Sequence, residues 1–123
     1  MENPPTIHLI ANAHLDPVWL WDRHEGLNEG IATVRSVLDL MDRFPELTFI
    51  RGEASVYEHL RHWDPDSLDR IRHFIEAGRW DVVGGNWVQP DTNLPGTGAL
   101  LRQYAIGQEW FHSHLGIRPT CAW

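Results

Sequence analysis

Cysteine is almost missing from this 123-residue chain. Cys121, the only one, has no partner within the chain, which excludes a disulfide-stapled fold and suits a reducing compartment; the cytoplasm is the expected location. Long apolar runs are missing too, and no stretch approaches the roughly 18 residues of a membrane-spanning helix, so a membrane is excluded as a partner. Residues 1–6 hold two prolines and a glutamate where a secretion signal would carry basic residues followed by an apolar run, and export is not expected. Positive charge is in deficit: the ten Lys and Arg are scattered among seventeen acidic residues, giving a net charge of -7 and a pI near 5.5. Nucleic acid is thereby excluded as an expected partner, because a phosphate backbone would find no basic footprint. The composition also lacks the polar bias of a disordered chain, and with 42% hydrophobic residues it fits one globular domain or part of one.

Seven tryptophans are present, each able to fill core volume or to offer an amphipathic face to a ligand such as a sugar ring. Residues 6–13 form an apolar run without helical period, bounded by Pro4, Pro5 and Pro17, which predicts a buried strand. Ile31, Val34, Leu38 and Met41 recur at spacings of three and four and predict a helix over residues 28–43, stopped ahead of Pro45. Residues 47–51 read as a second strand and 55–62 as a short helix. Asp64 as N-cap, Pro65 at the first helical position, the stripe Leu68, Ile71, Phe74 or Ile75, and Gly78 as a left-handed C-cap define the next helix. Residues 80–84 predict a third strand, 85–98 a loop, and Leu101, Tyr104, Gln108, Phe111 and Leu115 a last helix ending at Gly116, after which residues 120–123 begin a fourth strand. Strands alternating with helices imply an α/β domain with a parallel sheet, whose chemistry belongs at the C-terminal ends of the strands. A chain that stops as its fourth strand begins is expected to be a truncated domain with an open sheet edge, exposed apolar surface and poor stability.

The first strand ends on His14, Leu15 and Asp16. Residues i and i+2 of an extended segment point to the same side, so the His14 imidazole and the Asp16 carboxylate can converge on one point. Both groups suit zinc at about 2.0 to 2.2 Å, although a catalytic zinc site needs about three protein ligands and an open position. By itself the pair is weak evidence and reads more readily as a capping aspartate beside a hydrogen-bonded histidine.

The surrounding segment HLIANAHLDPVWLW (residues 8–21) resembles the opening strand of the family 38 glycoside hydrolases, the class II α-mannosidases, with their pattern H-x-D-P-x-W at His14, Asp16, Pro17 and Trp19. The likeness continues through FIRGEASVYEHL (49–60), EAGRWDVVGGNWVQPDTNLPG (76–96) and RQYAIGQEWF (102–111), in order over nearly the whole chain. The resemblance implies that residues 1–123 are the N-terminal part of a (β/α)7-type barrel with parallel strands, that His14 and Asp16 bind Zn2+, and that Trp19 lines the subsite of a mannose-containing oligosaccharide. It places the nucleophile, the acid/base carboxylate and the remaining histidine ligand beyond Trp123, so no residue of this chain is assigned a catalytic role and the chain alone is expected to be inactive. A retaining glycosidase needs two carboxyl groups about 5 to 5.5 Å apart. The zinc would serve as a clamp on vicinal sugar hydroxyls, with the axial O2 of mannose as its handle.

Asp91, with Asn93, falls in the loop after the third strand, on the rim where substrate contacts are expected; beside Pro90 an aspartate also serves as a turn-former. His59 and His62 have no third ligand at a suitable spacing, and His112 and His114 point about 200° apart on a helix, so neither pair reads as a metal site. His8 lies about 20 Å from His14 along an extended strand and reads as structural. Two other functions compete. A metal-dependent carbohydrate deacetylase would place an Asp-Asp pair at the end of the first strand, where this chain has Leu15 and Asp16. A non-catalytic remnant would bind metal weakly or not at all.

Overall fold

The computed structural model describes residues 4–123. Seven elements follow one another: β1 (Ala11–Asn12), α1 (Arg23–Arg43), β2 (Phe49–Glu53), α2 (Ala54–Trp63), α3 (Pro65–Glu76), β3 (Trp80–Asn86) and α4 (Thr97–Leu115). The strands form one open parallel sheet in the order β1-β2-β3. The expected α/β alternation and strand direction are therefore present. Val34, Leu38 and Met41 of α1 are fully buried against Leu60, Leu68, Ile71, Phe49, Trp80 and Phe111, so the stripe read from the sequence is the core-facing one. Truncating any one of these aliphatic side chains to alanine costs about 2 to 5 kcal/mol. Among the described residues no helix is long and apolar enough to cross a membrane.

The first strand is far shorter than its apolar run of residues 6–13 predicts. Ala11 pairs with Phe49 and Asn12 with Ile50. The residues that would face 7–10 belong to the turn after α1, where Pro45 has no amide to donate and the Leu47 amide bonds the Phe44 carbonyl at 3.0 Å. With no ladder available, Ile7 and Leu9 are 85% and 90% exposed. The same turn delays β2 to Phe49 in place of residue 47. Arg79 holds this turn, its guanidinium donating to the carbonyls of Met41, Phe44 and Leu47.

Helix α1 begins at Arg23, ahead of the predicted residue 28, because Asp22 caps it. Its carboxylate accepts from the amides of Glu25 and His24, and these two bonds hold it below the usual carboxylate range. Asp64 is the N-cap and Pro65 the first helical residue, as the sequence places them, and the Asp64 carboxylate also accepts from Arg35 Nε at 2.8 Å. Gly78 is left-handed as expected (φ 67°), and the amides of Gly78 and Arg79 bond the Ile75 and Phe74 carbonyls in a Schellman closure. Residues 120–123 form no strand, although the Gly84 amide donates to the Cys121 carbonyl at 2.8 Å and lays this segment beside the end of β3. The tryptophans divide between the two uses: Trp80 and Trp110 are core, while Trp19, Trp63 and Trp123 are exposed.

Helix α4 can lie on the end of β3 only because residue 107 is glycine. A Cβ there would overlap the backbone of Gly85 and Asn86, which belong to the strand and cannot rotate away. Gly107→Ala is expected to lower stability by about 1 to 3 kcal/mol, as over-packing does. Gly98→Ala, in the same helix with nothing within 4 Å, is expected to leave stability unchanged or raise it by a few tenths of a kcal/mol. Chemical denaturation of the two variants checks the contrast.

Candidate functional site at the carboxyl rim of the sheet

The carboxyl end of β1 leads through Ala13 into His14 and Asp16, both about half exposed. His14 Nε2 stands 3.3 Å from Asp16 Oδ1, so the pair converges as an extended segment requires. The turn that follows is fixed from two sides. Trp21 Nε1 donates to the Asp16 carbonyl at 2.8 Å, and Gly26, buried in α1, packs directly on the Pro17 carbonyl, where a Cβ could not fit.

The other imidazole nitrogen is held by a residue that sequence reasoning missed. His14 Nδ1 lies 2.8 Å from Gln89 Oε1. With the Gln89 amide in this orientation its oxygen accepts, so a neutral His14 would carry its proton on Nδ1 and turn the Nε2 lone pair toward the Asp16 oxygen. Nε2 and the Asp16 oxygen stand 3.3 Å apart, a contact that either a proton on Nε2 or a shared cation would complete. Donors each about 2.1 Å from a tetrahedral ion are about 3.4 Å apart, so the observed spacing fits joint ligation of zinc.

Gln89 reaches this position because β3 turns sharply at its end. Gly84 and Gly85 both have positive φ (68° and 75°), and the β2–β3 register shifts between Arg51 and Glu53. The chain then crosses the rim with the amides of Trp87 and Val88 bonded to the carbonyl and side-chain oxygens of Gln103, each at 2.9 Å. Beneath the rim lies a second group absent from the sequence-based site. Arg51, Glu53 and Asn86 are buried, with Arg51 Nη1 donating to the Ala13 carbonyl at 3.0 Å. Their signal was a pair of charged residues, Arg51 and Glu53, at the end of an apolar run that forms a strand.

The remaining candidates separate clearly. Trp19 is 67% exposed on the turn after Asp16, its ring uncovered for a ligand. Asp91 Oδ1 accepts from the Asn93 amide at 2.8 Å, which makes it a turn-former and leaves its second oxygen free. His59 contacts Asn28, and both nitrogens of His62 are engaged, by the Glu58 carbonyl and by Arg61, so these two histidines share no point. His114 stacks on Trp110 with 4.6 Å between ring centroids. His8 is exposed beside a shallow groove lined by Phe44 and Leu47 rather than packed in a strand. Glu58 is held at a pKa of about 2, chiefly by its bonds from Arg61, so it stays ionised and cannot serve as a proton donor near neutrality. Among the described residues no group of three or more His, Cys, Asp and Glu side chains is placed to hold a metal ion.

Residues 4–123 match the family described as "Glycosyl hydrolases family 38 N-terminal domain". The chain belongs to glycoside hydrolase family 38. It is 33% identical over 118 residues to the α-mannosidase of Saccharomyces cerevisiae, a match covering 95% of this chain and 11% of that protein. Human α-mannosidase 2C1 is 35% identical over 122 residues (99% and 12%), and α-mannosidase G of Dictyostelium discoideum 26% over 119 (97% and 11%). The chain thus spans about a tenth of the length of these relatives. For this family 38 chain the Gln89 contact makes a direct prediction. Neutral His14 is expected to be the Nδ1–H tautomer, and Gln89→Leu to shift it toward Nε2–H, read by 15N NMR of the imidazole. A wild-type His14 already protonated on Nε2 would show that Gln89 does not set the tautomer.

Proposed function

We propose that this chain builds the metal-binding corner of the catalytic domain of a zinc-dependent, retaining α-mannosidase that cleaves terminal α-mannosides of oligosaccharides in the cytoplasm. The observation that carries the reading is the convergence of His14 Nε2 and Asp16 Oδ1, with Nδ1 already committed to Gln89. A metal-ligating histidine commonly donates its second nitrogen in this way. The α-mannosidase names of its relatives supply the substrate class. The sequential parallel order β1-β2-β3 is the one a (β/α)7-type barrel requires of its first three strands, and family membership supports that fold; in such a barrel the pair would lie at the carboxyl rim, where barrel enzymes keep their chemistry.

Bound zinc would supply a Lewis-acid contact to paired sugar hydroxyls and hold the ring near its oxocarbenium-like shape. His14 and Asp16 would hold the ion together with a ligand from outside this chain. Trp19 offers its exposed indole to a sugar face, and the free oxygen of Asp91 can accept from a sugar hydroxyl. The nucleophile and the acid fall to no residue here, so the 123-residue chain by itself turns over nothing. Family membership favours glycoside hydrolysis over the deacetylase alternative, whose Asp-Asp pair is missing.

Zinc titrated into the chain is expected to bind weakly at one site and to lose that site in His14→Ala and in Asp16→Ala. When the chain replaces the matching segment of the Saccharomyces cerevisiae α-mannosidase, the chimera is expected to cleave an aryl α-mannoside, with Asp16→Ala reducing the rate by at least about a thousandfold, the scale of losing catalytic machinery. A chimera that keeps its rate with Asp16→Ala would overturn the proposal. Turnover by the chain alone, abolished by Asp16→Ala, would overturn its status as a partial site.

A further inference from the structure

Arg51 is the least expected residue of the core. It sits in β2 at 1% exposure, and its charge has been taken out of water at a large desolvation cost. A guanidinium has five N–H donors, and a structural ion pair would use most of them. Among the described residues Nε and Nη2 have no hydrogen-bond partner, the Glu53 carboxylate stands 3.4 Å from Nε, and the one side-chain bond made is from Nη1 to the carbonyl of Ala13.

That bond falls at a telling place. The β1–β2 ladder has only two rungs, Ala11 opposite Phe49 and Asn12 opposite Ile50. The next rung would pair Ala13 with Arg51, and there the ladder stops. The side chain of Arg51 takes over from the backbone, gripping the last peptide before His14. Arg51 is itself anchored at its other end, because Tyr57 donates its hydroxyl to the Arg51 carbonyl and receives a bond from Trp80 Nε1, both at 2.9 Å. Two buried hydrogen bonds and the part-buried Arg51–Ala13 bond therefore link β3 through α2 and β2 to the backbone that carries His14.

We infer that Arg51 is a positioning residue for His14: it fixes the backbone of the imidazole from below while Gln89 fixes the ring from the side. It touches neither metal nor substrate. The inference rests on the reading of His14 as a metal ligand only for its consequence, not for its geometry. Without Arg51 the two-rung strand frays at Ala13, and the His14–Asp16 convergence is lost for part of the time.

The test compares Arg51→Met, Arg51→Met/Glu53→Leu, which leaves no unpaired buried charge, and Leu68→Ala as a control that loosens the core from α3, away from the Arg51 ladder position. Zinc affinity, measured by direct titration well below each melting temperature, is expected to fall by about ten- to a hundredfold in both Arg51 variants, the scale at which outer-shell changes act, and to hold in Leu68→Ala. Arg51→Lys, which keeps a charge and a donor, is expected to recover part of the loss. In the metal-free chain, NMR is expected to show the Ala13 carbonyl shift and the His14 ring order changing in the Arg51 variants alone. A double variant that folds, binds zinc as the wild type does and keeps the His14 signals would overturn the inference. Wild-type chain that binds no zinc, with His14 nonetheless loosened by Arg51→Met, would overturn the metal reading and leave the positioning role standing.

Discussion

Because the three strands run in the same direction, their carboxyl ends share one rim, and everything of chemical interest in this chain is a consequence of that constraint. Parallel strands cannot be joined by hairpins, so each ladder partner arrives only after a helical crossover. The crossovers are long enough to put residues 14, 53 and 89 far apart in sequence and side by side in space. β1 delivers His14 and Asp16, β2 delivers Arg51 and Glu53, and β3 delivers Gln89 through its glycine turn. Each strand contributes a different kind of group: a pair of donor atoms, a buried support, and an outer acceptor.

The helices of this arrangement were legible in the sequence because their apolar residues recur with a period that only one conformation satisfies. Ile31 to Met41 and Leu68 to Phe74 face the core as their spacing requires. Strand boundaries were less legible, since a strand exists only where a partner does. The run at residues 6–13 has the composition of a strand, yet Pro45 and the turn at Phe44 leave its first half nothing to pair with. The site was legible to the same depth. His14 and Asp16 are neighbours in sequence, so extended geometry alone brings them together. Gln89 and Arg51 act from 75 and 38 positions away, on His14 and Ala13 respectively, and no local pattern contains those contacts.

The rim is also where the chain departs from what stability alone would choose. Two successive left-handed glycines end β3, a guanidinium and a carboxylate are buried with unpartnered atoms at the end of β2, and an amide side chain binds an imidazole where a hydrophobic contact would serve the fold as well. Local rules fail together at functional sites more often than elsewhere, because there the sequence answers to a ligand as well as to packing. Away from the rim, the core of aliphatic stripes, Trp80 and Phe111 obeys every one of them.

These departures share a direction. In the proposed zinc site, two donor atoms would contribute to affinity only to the extent that they are already together when an ion arrives, since any freedom they keep must be lost on binding. His14 and Asp16 are half exposed and sit on a strand of two residues, which by itself would leave them loose. The Trp21 bond to the Asp16 carbonyl, the Gln89 contact on the ring and the Arg51 grip on Ala13 each remove one of those freedoms, and they come from three different elements of the fold. The rigidity of the pair is thus borrowed from the core, and the buried charge beneath it is the part of that loan which costs the fold most.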